Sequence, residues 1–241
     1  VRALLKQKKL SEIKSDFINN MTHEFKTPLA TISLAVDALK NEKVINDREK
    51  MNYFSGIIKE ENKRMNKQVE TILQAALLDK QEVQLNLKAV HAHELIRSAL
   101  NNIQLQVDEK KGKLDLNTAA TNDCILVDEV HFTNVINNLL DNAVKYSKDN
   151  LHLKLSTQNI GNHFKIKIED NGIGMNKETL HRIFEKFYRA HTGNIHNVKG
   201  FGLGLSYVKT IIDAHHGKIK PESTLGRGSC FTIDLPIHKA K

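Results

Sequence analysis

The amino-acid sequence predicts an α+β protein in two parts: a dimeric helical hairpin, which is a four-helix bundle as the homodimer, followed by an α/β sandwich. Three observations carry this expectation. The length, 241 residues, suits one or two domains. Apolar residues in the first third recur at three- and four-residue steps, the period of an amphipathic helix. Beyond about residue 82 that period gives way to segments that alternate like half-buried strands, mixed with further helical ones.

The first helix is read from Leu10, Ile13, Phe17, Met21, Phe25, Ile32, Ala35 and Leu39. Residues 1–14 (VRALLKQKKLSEIK) look like the tail of a longer signalling helix entering from upstream. After the polar break KNEKVINDREK, a second long helix follows Met51, Phe54, Ile58, Met65, Val69, Ile72 and Ala76. Two long helices and a short loop make an antiparallel hairpin whose apolar stripe is half exposed, and pairing with a second copy buries it. The hairpin is assigned to residues 15–84.

From 87 to 241 the strand-like segments are VQLNLKAV (beginning at 83), LHLKLST (151–157), HFKIKIED (163–170) and SCFTIDLP (229–236). Helices are expected near 92–110, 128–146 and 202–215. That mixture predicts a sandwich with one sheet face under helices and the other wet.

Composition narrows the function. No stretch approaches the roughly 20 apolar residues of a membrane span, and no signal peptide opens the sequence, so the chain reads as soluble. Cys124 and Cys230 lie far apart and outside any CxxC pair, which argues against a disulfide scaffold or a cysteine zinc site and fits a reducing compartment. The net charge of +8 is spread along the chain, and only 5% of residues are aromatic, so nucleic acid is not an expected partner.

Four features of the second part carry chemistry. In NNLLDNAVKYS (137–147), Asn138 and Asn142 share a helix face, with Lys145 one turn on. Paired amide oxygens and a lysine suit a Mg²⁺ ion bridging nucleotide phosphates, although an exposed polar face explains the pattern at least as often. DNGIGM (170–175) sets a carboxylate at a strand end before two close glycines, where it can accept from an exocyclic amine such as that of adenine. A plain tight turn explains that stretch equally well. GFGLGLSYVK (200–209) leads glycines into a helix N-terminus, which favours phosphate. Between the two lies a lid-like segment, 177–199, in which Lys177, Arg182, Lys186, Arg189 and Lys199 outnumber Glu178 and Glu185.

The ordered set NxxxN, DxGxG, IFxxFYR, GxGxGL and GxGSxF resembles the ATP-binding domain of sensor histidine kinases, and the hairpin resembles that family's dimerisation and phosphoacceptor domain. The likeness covers residues 10–241. It implies that Asn138 and Asn142 hold Mg²⁺, that Lys145 meets the phosphates and that Tyr146 packs beside adenine. Asp170 would accept from the adenine amine, with Gly172 and Gly174 giving the base close approach. Arg189 would reach the γ-phosphate, and Gly202, Leu203 and Gly204 would line the triphosphate path.

ATP-hydrolysing relatives resemble one another in carrying a glutamate where this chain has Asn138. An amide takes no proton from water, so the γ-phosphoryl is expected to go to another nucleophile. His23 in NMTHEFKTPLATI is the candidate: it lies about 200° around the helix from Met21 and again from Phe25, and so points outward. Glu24 is placed to orient or deprotonate its ring. THEFKTPL also resembles the family's phosphoacceptor box, which implies onward transfer to an aspartate of a response-regulator receiver domain. Thr27 matches the position used for dephosphorylating the regulator. Pro28 removes a helical hydrogen bond to the Glu24 carbonyl, and a bend is expected there. By the same resemblance the chain would be the cytoplasmic portion of an inner-membrane receptor. His91, His93, His215 and His216 are assigned no chemistry. A nucleotide-binding scaffold without transfer and a gyrase-type ATPase are the competing readings.

Overall fold

The computed structural model describes residues 2–77, 84–147, 150–189 and 201–238. Among these, residues 2–77 with 201–203 form one compact unit, and 84–189 with 204–238 form the other.

In the first unit, α1 (Arg2–Leu39) and α3 (Arg48–Leu77) flank a short helix, α2 (Glu42–Ile45). Helix α2 lies inside the stretch read as a loop, and local capping explains it. The Asn41 side chain accepts from the Lys43 N–H at 3.0 Å, and Val44 is buried. Asp47 then accepts from the N–H groups of Glu49 and Lys50, both at 3.1 Å, and starts α3. Contact of Glu24 with Arg64 and Gln68 puts α3 antiparallel to α1. Ile18, Leu29, Leu34, Met51 and Val69 stay exposed on this hairpin.

No break occurs at Pro28: α1 runs through it as one helix, and the proline itself is buried. Three threonines bond back along the same stretch. Thr22 donates to the Ile18 carbonyl at 2.9 Å, Thr27 to that of His23 at 3.3 Å, and Thr31 to that of Thr27 at 3.1 Å.

The second unit contains β1 (Lys88–His91), α4 (Ala92–Glu109), β2 (Lys113–Thr118), β3 (Cys124–Val127) and α5 (Glu129–Lys145). It continues with β4 (His152–Ile160), β5 (His163–Asp170), α6 (Lys177–Arg182), α7 (Gly204–Ala214), β6 (Lys218–Thr224) and β7 (Gly228–Pro236). The main sheet has the order β2-β4-β5-β7-β6, with β2 parallel to β4 and the other neighbours antiparallel. Strands β1 and β3 pair separately, and an Ile125–Ile237 bridge ties β3 to the end of β7.

Alternation decides which face is wet. Leu153, Leu155, Phe164, Ile166, Ile168, Ile233 and Leu235 point to one side and are buried. They meet Ile96, Leu100 and Ile103 of α4, Phe132, Ile136, Leu139 and Leu140 of α5, and Val208, Ile211 and Ile212 of α7. The opposite face carries Lys154, Lys165, Lys167, Glu169 and Asp234, with ion pairs such as Lys167–Glu169 at 2.9 Å. Removing the ring of Phe132 or Phe164, both fully buried, costs about 3–5 kcal/mol.

Candidate active site

Helix α5 is anchored at both ends. At its start Asp128 caps it, accepting from the His131 N–H at 3.0 Å and, through its other oxygen, from the Asn86 N–H at 2.9 Å. Burial opposes the charge on Asp128, but these backbone donors hold its carboxyl below the usual range. At its end the Lys110 ammonium donates to the carbonyls of Val144 and Ser147 and to the Ser147 hydroxyl, which itself donates to the Val144 carbonyl at 2.8 Å, so a cation sits at the negative end of the helix. The helix thereby holds Asn142 and Tyr146 in fixed places.

Between α5, the β5 end, α6 and α7 lies a cavity of about 430 Å³. Asn142, Tyr146, Asp170, Gly174 and Arg189 line it, so five of the residues singled out from the sequence meet there. The remainder of its wall is mostly apolar: Ala143, Ile173, Met175, Ile183, Leu205, Leu225 and Phe231, with Asn176, Thr179, Tyr188 and Ser229. Such a cavity, apolar with a few convergent polar groups, suits a flat heterocycle held at one polar edge.

Asp170 supplies that edge. Burial raises its carboxyl above the ordinary value, and the N–H groups of Gly172 at 2.8 Å and Ser229 at 3.3 Å work against the rise. Both donors contact Oδ1. Tyr146 is half-buried, and the desolvation raises its phenol, while the nearby Arg189 guanidinium opposes the rise. Lys145 lies over the Tyr146 ring, its Nζ 5.2 Å from the centroid.

The glycines of DNGIGM serve a purpose not legible in the sequence. A Cβ on Gly172 would stand 2.6 Å from the Tyr146 carbonyl, and one on Gly174, whose φ is +64°, would stand 2.0 Å from the Thr224 carbonyl. What presses on them is the protein's own backbone. Gly172 is needed so that β5 can turn beneath Tyr146, where the Ile173 N–H donates to the Tyr146 carbonyl at 3.0 Å.

Several expected residues do not line the cavity: Asn138, Lys145, Gly172, Gly202, Leu203 and Gly204. Asn138 turns its amide back on its own helix, Nδ2 donating to the Asn134 carbonyl at 2.8 Å, while its Oδ1 faces Gly204. Gly202 takes a left-handed φ of +69° just ahead of α7. In the lid-like segment, α6 was not foreseen, being only one turn and a half long. At its end Arg182 stacks over the Tyr188 ring at 4.2 Å and bonds Glu185 at 3.0 Å. Residues 190–200 of that segment, including Lys199, lie outside the described residues. The wall residues Thr179, Ile183, Leu225 and Ser229 were missed because each reaches the cavity from an element whose role appears only on folding.

In the hairpin unit His23 is exposed, whereas Met21 and Phe25 are half-buried. Glu24 differs from expectation. Its carboxylate turns to α3, accepting from Gln68 Nε2 at 3.4 Å and lying 3.6 Å from Arg64 Nη2, while Arg64 Nη1 lies 3.5 Å from Glu61.

Comparison with known proteins follows the same division. Residues 127–239 match the family described as Histidine kinase-, DNA gyrase B-, and HSP90-like ATPase, which defines the class of the second unit. Residues 13–81 match the His Kinase A (phospho-acceptor) domain. With both domains in this order, the chain belongs to the sensor histidine kinases. It is 51% identical to Sensor protein RprX of Bacteroides fragilis (strain YCH46) over 238 residues, covering 98% of this chain and 46% of that protein. It is 29% identical to Sensor protein kinase WalK of Staphylococcus aureus, covering 95% of this chain and 55% of that protein. The chain thus spans about half the length of these relatives. Its fold is shared with histidine kinase ThkA in complex with response regulator protein TrrA, at a TM-score of 0.66 and 21% identity, over 97% of this chain and 64% of that one. No helix among the described residues is long and apolar enough to cross a membrane.

Proposed function

We propose that the chain is a protein-histidine kinase core: with Mg²⁺-ATP it phosphorylates His23, and the phosphoryl group then passes to an aspartate of a response-regulator receiver domain. The observation that carries the reading is the convergence of Asn142, Asp170 and Arg189 on one cavity walled by apolar side chains. Residues 15–84 are the phosphoacceptor hairpin in this reading, residues 87–241 the ATP-binding domain, and residues 1–14 the incoming signalling helix.

Asp170 accepts from the adenine amine, and the apolar wall takes the ring faces. Asn142, with Asn138 beside it on α5, offers neutral amide oxygens, hard donors that suit Mg²⁺ when phosphates and water complete its shell. Bound there, the ion neutralises charge on the phosphates during transfer. Lys145 and Arg189 add positive charge, Arg189 toward the γ-phosphate. A neutral His23 imidazole attacks the γ-phosphorus through one ring nitrogen as the bond to the ADP oxygen breaks, and the proton on the other nitrogen is taken up by a base. Glu24 is that base once its carboxylate leaves Arg64 and Gln68.

Two copies pair through the exposed apolar side chains of the hairpin, and the core works on the cytoplasmic side of an inner-membrane receptor, in keeping with relatives named as sensor proteins. Thr27 orients the water that dephosphorylates the regulator. Incubation with γ-labelled ATP and Mg²⁺ tests the main reading: the protein should gain acid-labile, base-stable label, and none in His23→Ala. Label that persists in the variant sinks the assignment; phosphate release without any labelled protein favours a gyrase-type ATPase.

A further inference from the structure

Helices α5 and α7 run antiparallel, and polar contacts join them at three levels. At the glycine-led end of α7, a Cβ on Gly204 would stand 2.6 Å from Asn138 Oδ1. In the middle, the Tyr207 hydroxyl lies 2.8 Å from His131 Nδ1 and also bonds the Asn134 side chain. At the far end, the Asp128 backbone N–H donates to His215 Nε2 at 2.8 Å. Asn134 belongs to both the middle and the first level: its side chain bonds Tyr207, and its backbone carbonyl receives the Asn138 amide at 2.8 Å.

Apolar contact through Val208, Ile211 and Ile212 holds α7 against the core. Hydrogen bonds are directional and fix register. Tyr207 is only 4% exposed, so its hydroxyl must keep partners, and those partners are on α5. Neither Tyr207 nor His131 lines the cavity.

We propose that Tyr207 is a positioning residue for the nucleotide's triphosphate: through His131 and Asn134 it sets where the N-terminus of α7 stands against Asn138 and Asn142. The proposal rests on the reading of the cavity as an ATP site. It separates the two ends of the ligand, because Asp170 stands at the end of β5 and is carried by neither helix.

Titration calorimetry on the whole chain with Mg²⁺-ATP and with adenosine tests it. Tyr207→Phe keeps the ring and removes the hydroxyl; Mg²⁺-ATP affinity should fall roughly tenfold while adenosine affinity changes less than about twofold. In the labelling reaction KM for ATP should rise by a similar factor. His131→Phe removes the partner instead and should give the same selective loss, which keeps the test open if the tyrosine variant unfolds. Equal weakening of both ligands means Tyr207 only supports the fold and overturns the proposal, as does no change in either. Wild-type protein that binds neither ligand refutes the ATP-site reading itself.

Discussion

Asp170 shows how one carboxylate is tuned by its surroundings. Burial raises its carboxyl above its ordinary value, and the backbone donors of Gly172 and Ser229 limit the rise. Only the ionised form accepts fully from an amine, so adenosine affinity should decline as the pH falls through that raised value and be full above it. Asp170→Asn should lower adenosine affinity by at least roughly tenfold at neutral pH, measured by calorimetry; unchanged affinity would remove Asp170 from the site. The acid was legible because it ends an alternating strand and precedes glycine. The reason for Gly172 was not, since Tyr146 stands across from it only after folding.

A second buried group yields a stability prediction. His215 receives the Asp128 N–H at Nε2 and its Nδ1 donates to the Ile211 carbonyl at 2.7 Å, a pattern that only the neutral ring satisfies. Burial lowers its pKa below 6.5. Unfolding therefore takes up a proton between the two values, so this contribution is full above 6.5 and is lost as the pH falls toward the folded value. Thermal melts of His215→Gln should show a weaker loss of Tm than wild type between about pH 7 and pH 5.5. Parallel curves would contradict this.

At the scale of elements, legibility followed length and alternation. Strand β5 (Lys165 and Lys167 out, Ile166 and Ile168 in) and β7 read directly, as did α4, α5 and α7. Strand β6 did not: Pro221 cannot donate to a ladder, and the strand survives because it is an edge. Strand β3 has only four residues, and β2 pairs parallel at the other edge, with Leu116 left exposed. VQLNLKAV yielded regular strand only from Lys88. Helix α1 makes a further point. Helix α1 continues through Pro28, where the Glu24 carbonyl loses one N–H donor and Thr27 bonds back one turn earlier. Thr27→Ala and Pro28→Ala should each change the rate of regulator dephosphorylation more than Tm, with labelling of His23 retained; normal dephosphorylation in both would discard the proposed role of this turn.

For the whole molecule, the two-part architecture was legible because the hydrophobic period changes once along the chain, near residue 82. The grouping of residues 201–203 with the hairpin unit was not, since no local pattern encodes it. The hairpin leaves Leu34 at 71% exposure together with the exposed Ile18, Leu29 and Val69, a set of large apolar side chains that a second copy would cover. Leu34→Glu should convert a dimer to a monomer in light scattering at micromolar concentration; a monomeric wild type would contradict the four-helix bundle.

The central claim is that this chain moves a phosphoryl group from ATP to one histidine. Mass spectrometry of the intact chain after incubation with Mg²⁺-ATP, followed by peptide mapping at neutral to basic pH, tests it most directly. The account predicts one added phosphoryl group on the peptide containing His23, absent when Asn142 or Asp170 is replaced by alanine. A phosphoryl group on any other residue, or full occupancy in those variants, would contradict it.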